Sequence, residues 1–253
     1  IKTAGLQDTN LVQNGDFSEL GSELVTNGDF ATDSDWLKSN STISSGKGNL
    51  NGDGQTSMLW QNILTQNKFY KATFTISNYN NLGQSILMNA DGTAYFTITE
   101  NATFTVYFKH TVSNGNLYFR AINGAVYSID NVSVKQVDPN DEWILGTGIT
   151  IQDNKAFFNN SSYPQGIQQT NVATIGNRYR VKFTVSDYQS GTIKLRLPLD
   201  INGFQGNGDY VFEGDATHSS LLIRGDSTPN NFKISNISVQ EVQVNTPRID
   251  FSD

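Results

Sequence analysis

The segment KFYKATFTIS at residues 68–77 recurs in similar form as NRYRVKFTVS at residues 177–186. In both copies apolar and polar side chains alternate with a period of two, which is typical of an antiparallel strand with one buried and one solvated face. No stretch of the chain keeps a helical period long enough to compete with this pattern. The alternating apolar positions are Tyr70, Ala72, Phe74 and Ile76 in the first copy and Tyr179, Val181, Phe183 and Val185 in the second.

Further matching segments surround these two copies in the same order, which indicates two collinear repeats. The matches are Trp36 with Trp143, LYFR at 117–120 with LLIR at 221–224, and SIDNVSVKQV at 128–137 with KISNISVQEV at 233–242. The repeat predicts a first β-sandwich module at 24–138 and a second at 139–243. Residues 1–23, which include LVQNGDF at 11–17, are expected to form an N-terminal arm or extra strand. Residues 244–253 are expected to be a linker to a further domain or a C-terminal tail.

Tight turns separate the predicted strands. Seven Asn-Gly pairs occur along the chain, and this dipeptide is the strongest short signal for a β-hairpin turn. About eight strands fit into each half, each bounded by a turn signal. We therefore expect an all-β fold with two tandem β-sandwich (jelly-roll) domains.

Composition excludes several classes of protein. The chain has 253 residues, a formal net charge of −7 and no Cys, so disulfides, thiolate metal sites and Cys nucleophiles are excluded. No apolar run approaches the roughly 18 residues that span a bilayer, and the acidic balance argues against non-specific nucleic-acid binding. The two histidines, His110 and His218, occupy non-equivalent repeat positions. We expect no enzymatic activity, although paired carboxylates that meet only in space stay open.

The start LVTNGDF at 24–30, the following Trp36, the central strand motif and the closing IDNVSVKQV at 129–137 resemble carbohydrate-binding modules of the four/nine type. More narrowly, they resemble the tandem modules of bacteriophage tail fibres and other virion surface proteins. The closing NTPRIDFSD at 245–253 is similar to the segment that joins such modules to a following domain in phage tail proteins. The second repeat departs from the pattern, because it lacks an NGDF start and has Ser235 where the first has Asp130.

The resemblance implies sugar binding without catalysis. It implies a non-catalytic glycan-binding protein for host recognition or adhesion, at the virion surface as part of a phage fibre or capsid decoration, or otherwise extracellular. The implied partners are a cell-surface polysaccharide or glycan, other virion proteins and further copies of the chain in a homotrimer, with no nucleic acid and no membrane insertion. Two alternatives stay open. One is a structural spacer or capsid-decorating protein without sugar binding, and the other is an accessory module of a polysaccharide-degrading enzyme.

Aromatic residues in the first module are the first candidate site. Sugars are bound by flat aromatic faces with nearby polar groups. The two-residue period places Tyr107, Tyr118 and Arg120 away from the core, and the resemblance implies ligand contacts on the strand that holds Trp60 and Gln61. The alternative is that Trp60 belongs to the core and that the tyrosines merely cover a sheet edge. The predicted ligand-binding residues are Trp60, Gln61, Tyr107, Tyr118 and Arg120.

Basic residues on two strands of the second module are the next candidate. If the two strands are neighbours, their outward side chains form one basic face, and Arg matches carboxylate or sulfate groups well. Such a face would bind an acidic polysaccharide. The alternative is a solvated surface with cross-strand ion pairs to Asp or Glu. The residues are Arg178, Arg180, Lys182, Lys194 and Arg196.

A structural calcium ion is the last candidate, and it follows from the resemblance. Related sandwiches often hold Ca²⁺ where the first and last strands meet. The matching positions in the first module are Gly28, Asp29 and Asp130, whose oxygen atoms suit this hard cation. We expect this site, if present, in the first module and no other cofactor.

Overall fold

The computed structural model describes residues 5–159, 165–197, 200–226 and 229–243. Throughout these ranges the regular elements are β-strands, and no helix there is long and apolar enough to cross a membrane. The predicted tail at 244–253 lies outside the described residues.

The described strands, 22 in number, are named in chain order. The first twelve are β1 (Gly5–Leu6), β2 (Leu20–Glu23), β3 (Leu37–Ser39), β4 (Ser41–Ser44), β5 (Lys47–Asn51), β6 (Ser57–Asn62), β7 (Phe69–Ser77), β8 (Gln84–Met88), β9 (Ala94–Thr97), β10 (Thr103–Lys109), β11 (Asn116–Ile122) and β12 (Val126–Val137). The others are β13 (Ile144–Leu145), β14 (Ile149–Gln152), β15 (Lys155–Asn159), β16 (Gly166–Gln169), β17 (Arg178–Ser190), β18 (Ile193–Arg196), β19 (Asp200–Phe204), β20 (Gly208–Asp215), β21 (Leu221–Gly225) and β22 (Asn231–Gln243).

The strands form two compact units with two antiparallel sheets each. The first module is Leu20–Pro139, and its sheets have the orders β10-β7-β12-β5-β4, with β2 added to β12, and β3-β6-β11-β8-β9. The second module combines Ile1–Glu19 with Asn140–Asp253. Its sheets have the orders β14-β15-β22-β17-β20, with β1 added to β22, and β13-β16-β21-β18-β19. The predicted all-β fold of two β-sandwich jelly rolls is confirmed.

The predicted boundaries need one correction. Of the two predicted alternatives for residues 1–23, the described residues 5–23 fit extra strands rather than an arm, but these strands belong to different modules: β2 pairs with β12 of the first and β1 with β22 of the second. The second module therefore has an NGDF turn after all, and LVQNGDF at 11–17 supplies it. In sequence, the first module is inserted between this turn and the remainder of the second module.

The two NGDF turns make the same backbone hydrogen bonds. The Ile237 amide donates to the Gly15 carbonyl oxygen at 2.8 Å, and the indole Nε1 of Trp143 donates to the Asn14 carbonyl oxygen at 2.9 Å. In the first module, the Trp36 indole donates to the corresponding carbonyl oxygen of Asn27 at 3.0 Å. Buried backbone carbonyl groups need hydrogen-bond donors. Each turn therefore packs where a strand amide and a tryptophan indole of its own module can donate to it.

The core of each sandwich lies between its two sheets. In the first module, Phe74 meets Phe119 edge to face, with ring centroids 5.1 Å apart. In the second, Phe158 stacks on Phe232 at 4.5 Å. Since successive side chains of a strand point to opposite faces, the neighbours of these core residues are directed to the outer faces, where a ligand has access.

Candidate functional site

The outer face of the β3-β6-β11-β8-β9 sheet brings two predicted residues together. Trp60 on β6 lies directly opposite Tyr118 on β11. Their neighbours Leu59 and Phe119 are fully buried in the core, so strand alternation directs Trp60 and Tyr118 outward. Both are half-buried, which corrects the alternative interpretation of Trp60 as a core residue.

An apolar row crosses this face. The Trp60 and Tyr118 rings lie 5.4 Å apart between centroids, inclined by 30°. Leu37 on β3 pairs with Trp60 and is 56% exposed, while Met88 on β8 pairs with Tyr118 and is buried. We call the surface formed by Leu37, Met58, Trp60, Tyr118 and Arg120 the aromatic face.

Polar groups border the row on both sides. On one side, Asn116 Nδ2 donates to the Tyr118 hydroxyl oxygen at 2.8 Å, and Asn62 Nδ2 donates to Asn116 Oδ1 at 2.9 Å. On the other side, Arg120 lies opposite Met58, and its Nη2 donates to Gln84 Oε1 at 3.4 Å. Apolar rings with amide and guanidinium groups at their edges are the chemistry that binds a pyranose.

A cleft extends the aromatic face beyond Arg120. Its volume is about 320 Å³, and it includes Ile122, which follows Arg120 by two residues on the same face of β11. The cleft is lined by Gly52, Gly54, Gln55, Thr56, Ile122 and Asn123.

Gln61 is not on the aromatic face. It is buried, with 6% exposure, and its side chain hydrogen-bonds both backbone groups of Thr26, from Thr26 N at 3.2 Å and to Thr26 O at 2.6 Å. In the second module Gln169 makes the same pair of bonds to Gln13. The predicted ligand role of Gln61 is wrong, because this amide anchors the segment before the NGDF turn.

Tyr107 is also separated from the other predicted aromatic residues. It lies on β10, in the other sheet of the first module, opposite Lys71 on β7. The Lys71 ammonium lies 5.6 Å from the centre of the Tyr107 ring, a distance at which cations are attracted to aromatic faces. Alternation along one strand showed that Tyr107 points outward, but it could not show on which sheet.

The five predicted basic residues do not form one face. Arg178, Arg180 and Lys182 lie on β17, whereas Lys194 and Arg196 lie on β18 of the other sheet. The prediction of a single basic surface is therefore wrong.

The arginines of β17 follow the alternative interpretation, cross-strand ion pairing. Arg178 lies opposite Asp215, with Nη1 3.4 Å from Oδ1, and Arg180 forms an ion pair with Glu213 opposite it. Lys182 faces Val211 instead. These pairs belong to a solvated strand surface.

The second module has a different surface where the first has the aromatic face. By strand register, Gln168 and Leu222 occupy the places of Trp60 and Tyr118. Lys194 lies opposite Arg224. Arg224 is the residue equivalent to Arg120 in the second repeat, and the matched segments LYFR and LLIR contained the signal for this equivalence. Because the aromatic pair is missing, we do not assign the same binding mode to this surface.

The predicted calcium ligands accept hydrogen bonds from backbone amides. The Gly28 carbonyl oxygen accepts the Val132 amide at 2.8 Å. Asp29 accepts the Ala31 amide, and Asp130 on β12 accepts the Asn131 amide. In the described ranges, no three acidic or histidine side chains gather closely enough to hold a metal ion. Three residues fall short of the roughly six to eight oxygens that Ca²⁺ takes, and the calcium site stays a prediction.

A buried polar pair follows β10. His110 is fully buried, and its Nδ1 lies 2.6 Å from the Tyr95 hydroxyl oxygen. Burial lowers the pKa of His110, and burial also raises the pKa of Tyr95 to about 12. Both groups are therefore neutral near pH 7, and we interpret the pair as structural.

The chain matches no model of a known protein family and no curated protein. Among solved structures it is similar to the N-terminal CBM22-1–CBM22-2 tandem domain of Paenibacillus barcinonensis Xyn10C, with 9% identity, a TM-score of 0.32, and coverage of 88% of this chain and 99% of that one. It is similar to Paenibacillus xanthan lyase with 16% identity and a TM-score of 0.27, over 84% of this chain and 25% of the lyase. The jelly-roll turret protein of an archaeal virus gives 13% identity and a TM-score of 0.24, over 89% and 60% of the two chains. These low identities and TM-scores do not show a function, so function has to be inferred from the geometry of the aromatic face.

Proposed function

We propose that the chain is a non-catalytic glycan-binding protein and that the aromatic face of its first module is the binding surface. One observation carries the proposal. Trp60 and Tyr118 lie side by side on the solvent-facing side of a sheet, where the core of the sandwich does not need them.

The geometry suggests how a sugar would bind. The apolar side of a pyranose would pack on the Trp60 and Tyr118 rings, since aromatic side chains combine a large apolar surface with a specific geometry. Its hydroxyl groups would meet the amides of Asn62 and Asn116 on one side and the Arg120 guanidinium on the other. A flat, open surface of this kind favours one or a few consecutive sugar units of a neutral glycan.

The biological setting we propose is host-surface recognition by a phage fibre or a similar surface appendage. This part rests on the sequence resemblance alone. Several copies in a homotrimer would raise the apparent affinity for a repetitive cell-surface polysaccharide, because each further contact becomes intramolecular. The protein would then act through binding, with other virion proteins as its structural partners.

The test is a glycan array followed by calorimetric titration of the full chain and of the W60A and Y118A variants. We expect wild-type protein to bind a neutral glycan and each variant to bind it at least tenfold more weakly, which is about 1.4 kcal/mol. Tyr107→Ala is the matched control, because it removes an outward tyrosine from the other sheet.

Two binding results would overturn the proposal, and a third result would overturn its non-catalytic part. One is a folded wild-type protein that binds no glycan on the array, which would favour the structural spacer or capsid-decorating role. The other is binding that survives in both W60A and Y118A. Hydrolysis of the bound glycan would contradict the non-catalytic assignment and favour an enzyme.

A further inference from the structure

A second cleft lies in the second module, on the outer side of the β14-β15-β22-β17-β20 sheet. Its volume is about 480 Å³, and strands β15, β17 and β22 contribute to its walls. It combines two aromatic rings, two side-chain amides and an ion pair. The lining residues are Phe157, Asp187, Tyr188, Gln189, Asn231 and Lys233.

An irregularity in β17 creates the cleft. Ser186 pairs with Lys233 and Ser190 pairs with Asn231, so three residues of β17 between these pairs face only one residue of β22. The extra residues bulge from the sheet, starting at Asp187, whose φ is +51°. Asn231 Nδ2 donates to Gln189 Oε1 at 3.0 Å, which fixes the bulge over the cleft.

Lys233 and Asp187 line this cleft, and a further lysine, Lys155, lies beside it on β15. Lys233 Nζ lies 2.8 Å from Asp187 Oδ2 and 5.4 Å from the centre of the Phe157 ring. Lys155 Nζ donates to Ser186 Oγ at 3.1 Å. Hydrogen bonding to Lys233 lowers the pKa of Asp187, and the charge of Lys155 adds to this effect. Lys155 thus adds a second positive charge near the Lys233–Asp187 ion pair.

The first module shows that the fold does not require this arrangement. By strand register and the repeat, Asn49, Asn78 and Ser128 occupy the places of Phe157, Asp187 and Lys233. They close the position with a neutral chain of hydrogen bonds, from Asn78 Nδ2 to Ser128 Oγ at 3.1 Å and from Ser128 Oγ to Asn49 Oδ1 at 2.8 Å. Lys47 keeps the place of Lys155 and donates to Ser77 Oγ at 3.0 Å. The second module therefore has an aromatic ring and an ion pair at a position where the first module is folded with a neutral hydrogen-bond network.

We propose that this cleft binds a sugar carrying an anionic group, a carboxylate or a sulfate. The anionic group would lie between Lys233 and Lys155, the apolar side of the ring would pack on Phe157, and hydroxyl groups would bond the amides of Gln189 and Asn231. Charge-assisted hydrogen bonds are stronger than neutral ones. The site shares only its ligand class with the proposed function, and it lies in the other module.

The experiment titrates the full chain with three probes, an oligohexuronate, a sulfated oligosaccharide and a neutral oligosaccharide of the same length. We expect one or both anionic probes to bind and the neutral probe not to bind this cleft. The K233Q variant should bind the anionic probe at least tenfold more weakly. Lys182→Gln is the matched control, because it removes an exposed lysine from β17 away from the cleft.

A second variant tests the proposal independently if K233Q disturbs the fold. Asp187→Asn removes the competing carboxylate and retains a residue that tolerates positive φ, so binding of the anionic probe should become several-fold tighter. Unchanged or weaker binding in D187N would overturn the proposal. So would equal weakening by K182Q and K233Q, equal binding of neutral and anionic probes by the W60A variant, or no anionic binding by folded wild-type protein.

The W60A variant separates this proposal from the proposed function. Anionic binding that persists in W60A and disappears in K233Q supports the second cleft even if the aromatic face binds nothing. Anionic binding lost in W60A but retained in K233Q would assign it to the aromatic face and overturn the second cleft.

Discussion

Phe17 packs against Trp143 with ring centroids 5.0 Å apart, although the entire first module separates the two residues in sequence. Phe30 and Trp36 form the equivalent contact within the first module, at 5.1 Å. In each sandwich a phenylalanine from an NGDF turn thus meets the tryptophan that opens the repeat. The N-terminal segment is therefore a structural part of the second module.

Phe17→Ala should destabilise the second module by about 3–5 kcal/mol, because it empties a fully packed aromatic site. Hydrogen exchange followed by mass spectrometry would locate the loss. We expect faster exchange in β22 and β16, which contact residues 11–17, and unchanged exchange in β7 and β12. Phe30→Ala is the matched control and should give the reverse pattern. Equal effects of F17A on both modules would contradict the assignment.

Gly15→Ala should also destabilise the second module. A Cβ at Gly15 would collide with the Ile237 carbonyl oxygen, which belongs to backbone and cannot rotate away. Strain of this kind costs about 1–3 kcal/mol, measured as a lower urea midpoint. Gly5→Ala serves as the control, since a Cβ at Gly5 meets no atom within 4 Å. A neutral G15A would show that the turn does not dock tightly.

Arg180→Ala should have a small effect. The Arg180 and Glu213 side chains are both about one-third exposed, at 31% and 30%, and ion pairs at such positions contribute less than about 1 kcal/mol. The loss should shrink in high salt because mobile ions screen the pair. Urea denaturation of R180A, E213Q and the double variant would measure the coupling. Loss of glycan binding in R180A would contradict the interpretation of this strand surface as merely solvated.

The first module should lose stability as the pH falls from about 7 to about 5. Burial lowers the pKa of His110 below its ordinary value of 6.5, so the unfolded chain takes up a proton at higher pH than the folded chain does. Protonation then favours the unfolded state. Urea midpoints across this range should fall for wild type and fall less for His110→Gln. Parallel curves for the two proteins would show that another group controls the dependence.

Much of the candidate site was visible in the sequence, but its assembly was not. Alternation correctly directed Tyr118 and Arg120 outward, because the side-chain period of a strand is a local property, whereas Trp60 was predicted from the resemblance. Gln61 was predicted from the resemblance, and alternation by itself puts it on the face opposite Trp60. Alternation could not separate Tyr107 from Tyr118, which lie in different sheets. The alternating pattern of a strand is the same whichever sheet the strand belongs to. Its sheet is decided by pairing with strands that are far away in the sequence.

The sequence by itself determined an all-β chain with two repeated sandwiches, because the period of two and the turn residues act over a few positions. Only the tertiary structure decided that β6 and β11 are neighbours, that β17 and β18 lie in different sheets, and that residues 5–19 complete the second module. Strand pairing is set by hydrogen bonds and packing between residues far apart in the chain. The near-identical LVQNGDF and LVTNGDF segments carry no mark of which sandwich each completes, and that choice depends on where a partner strand is available.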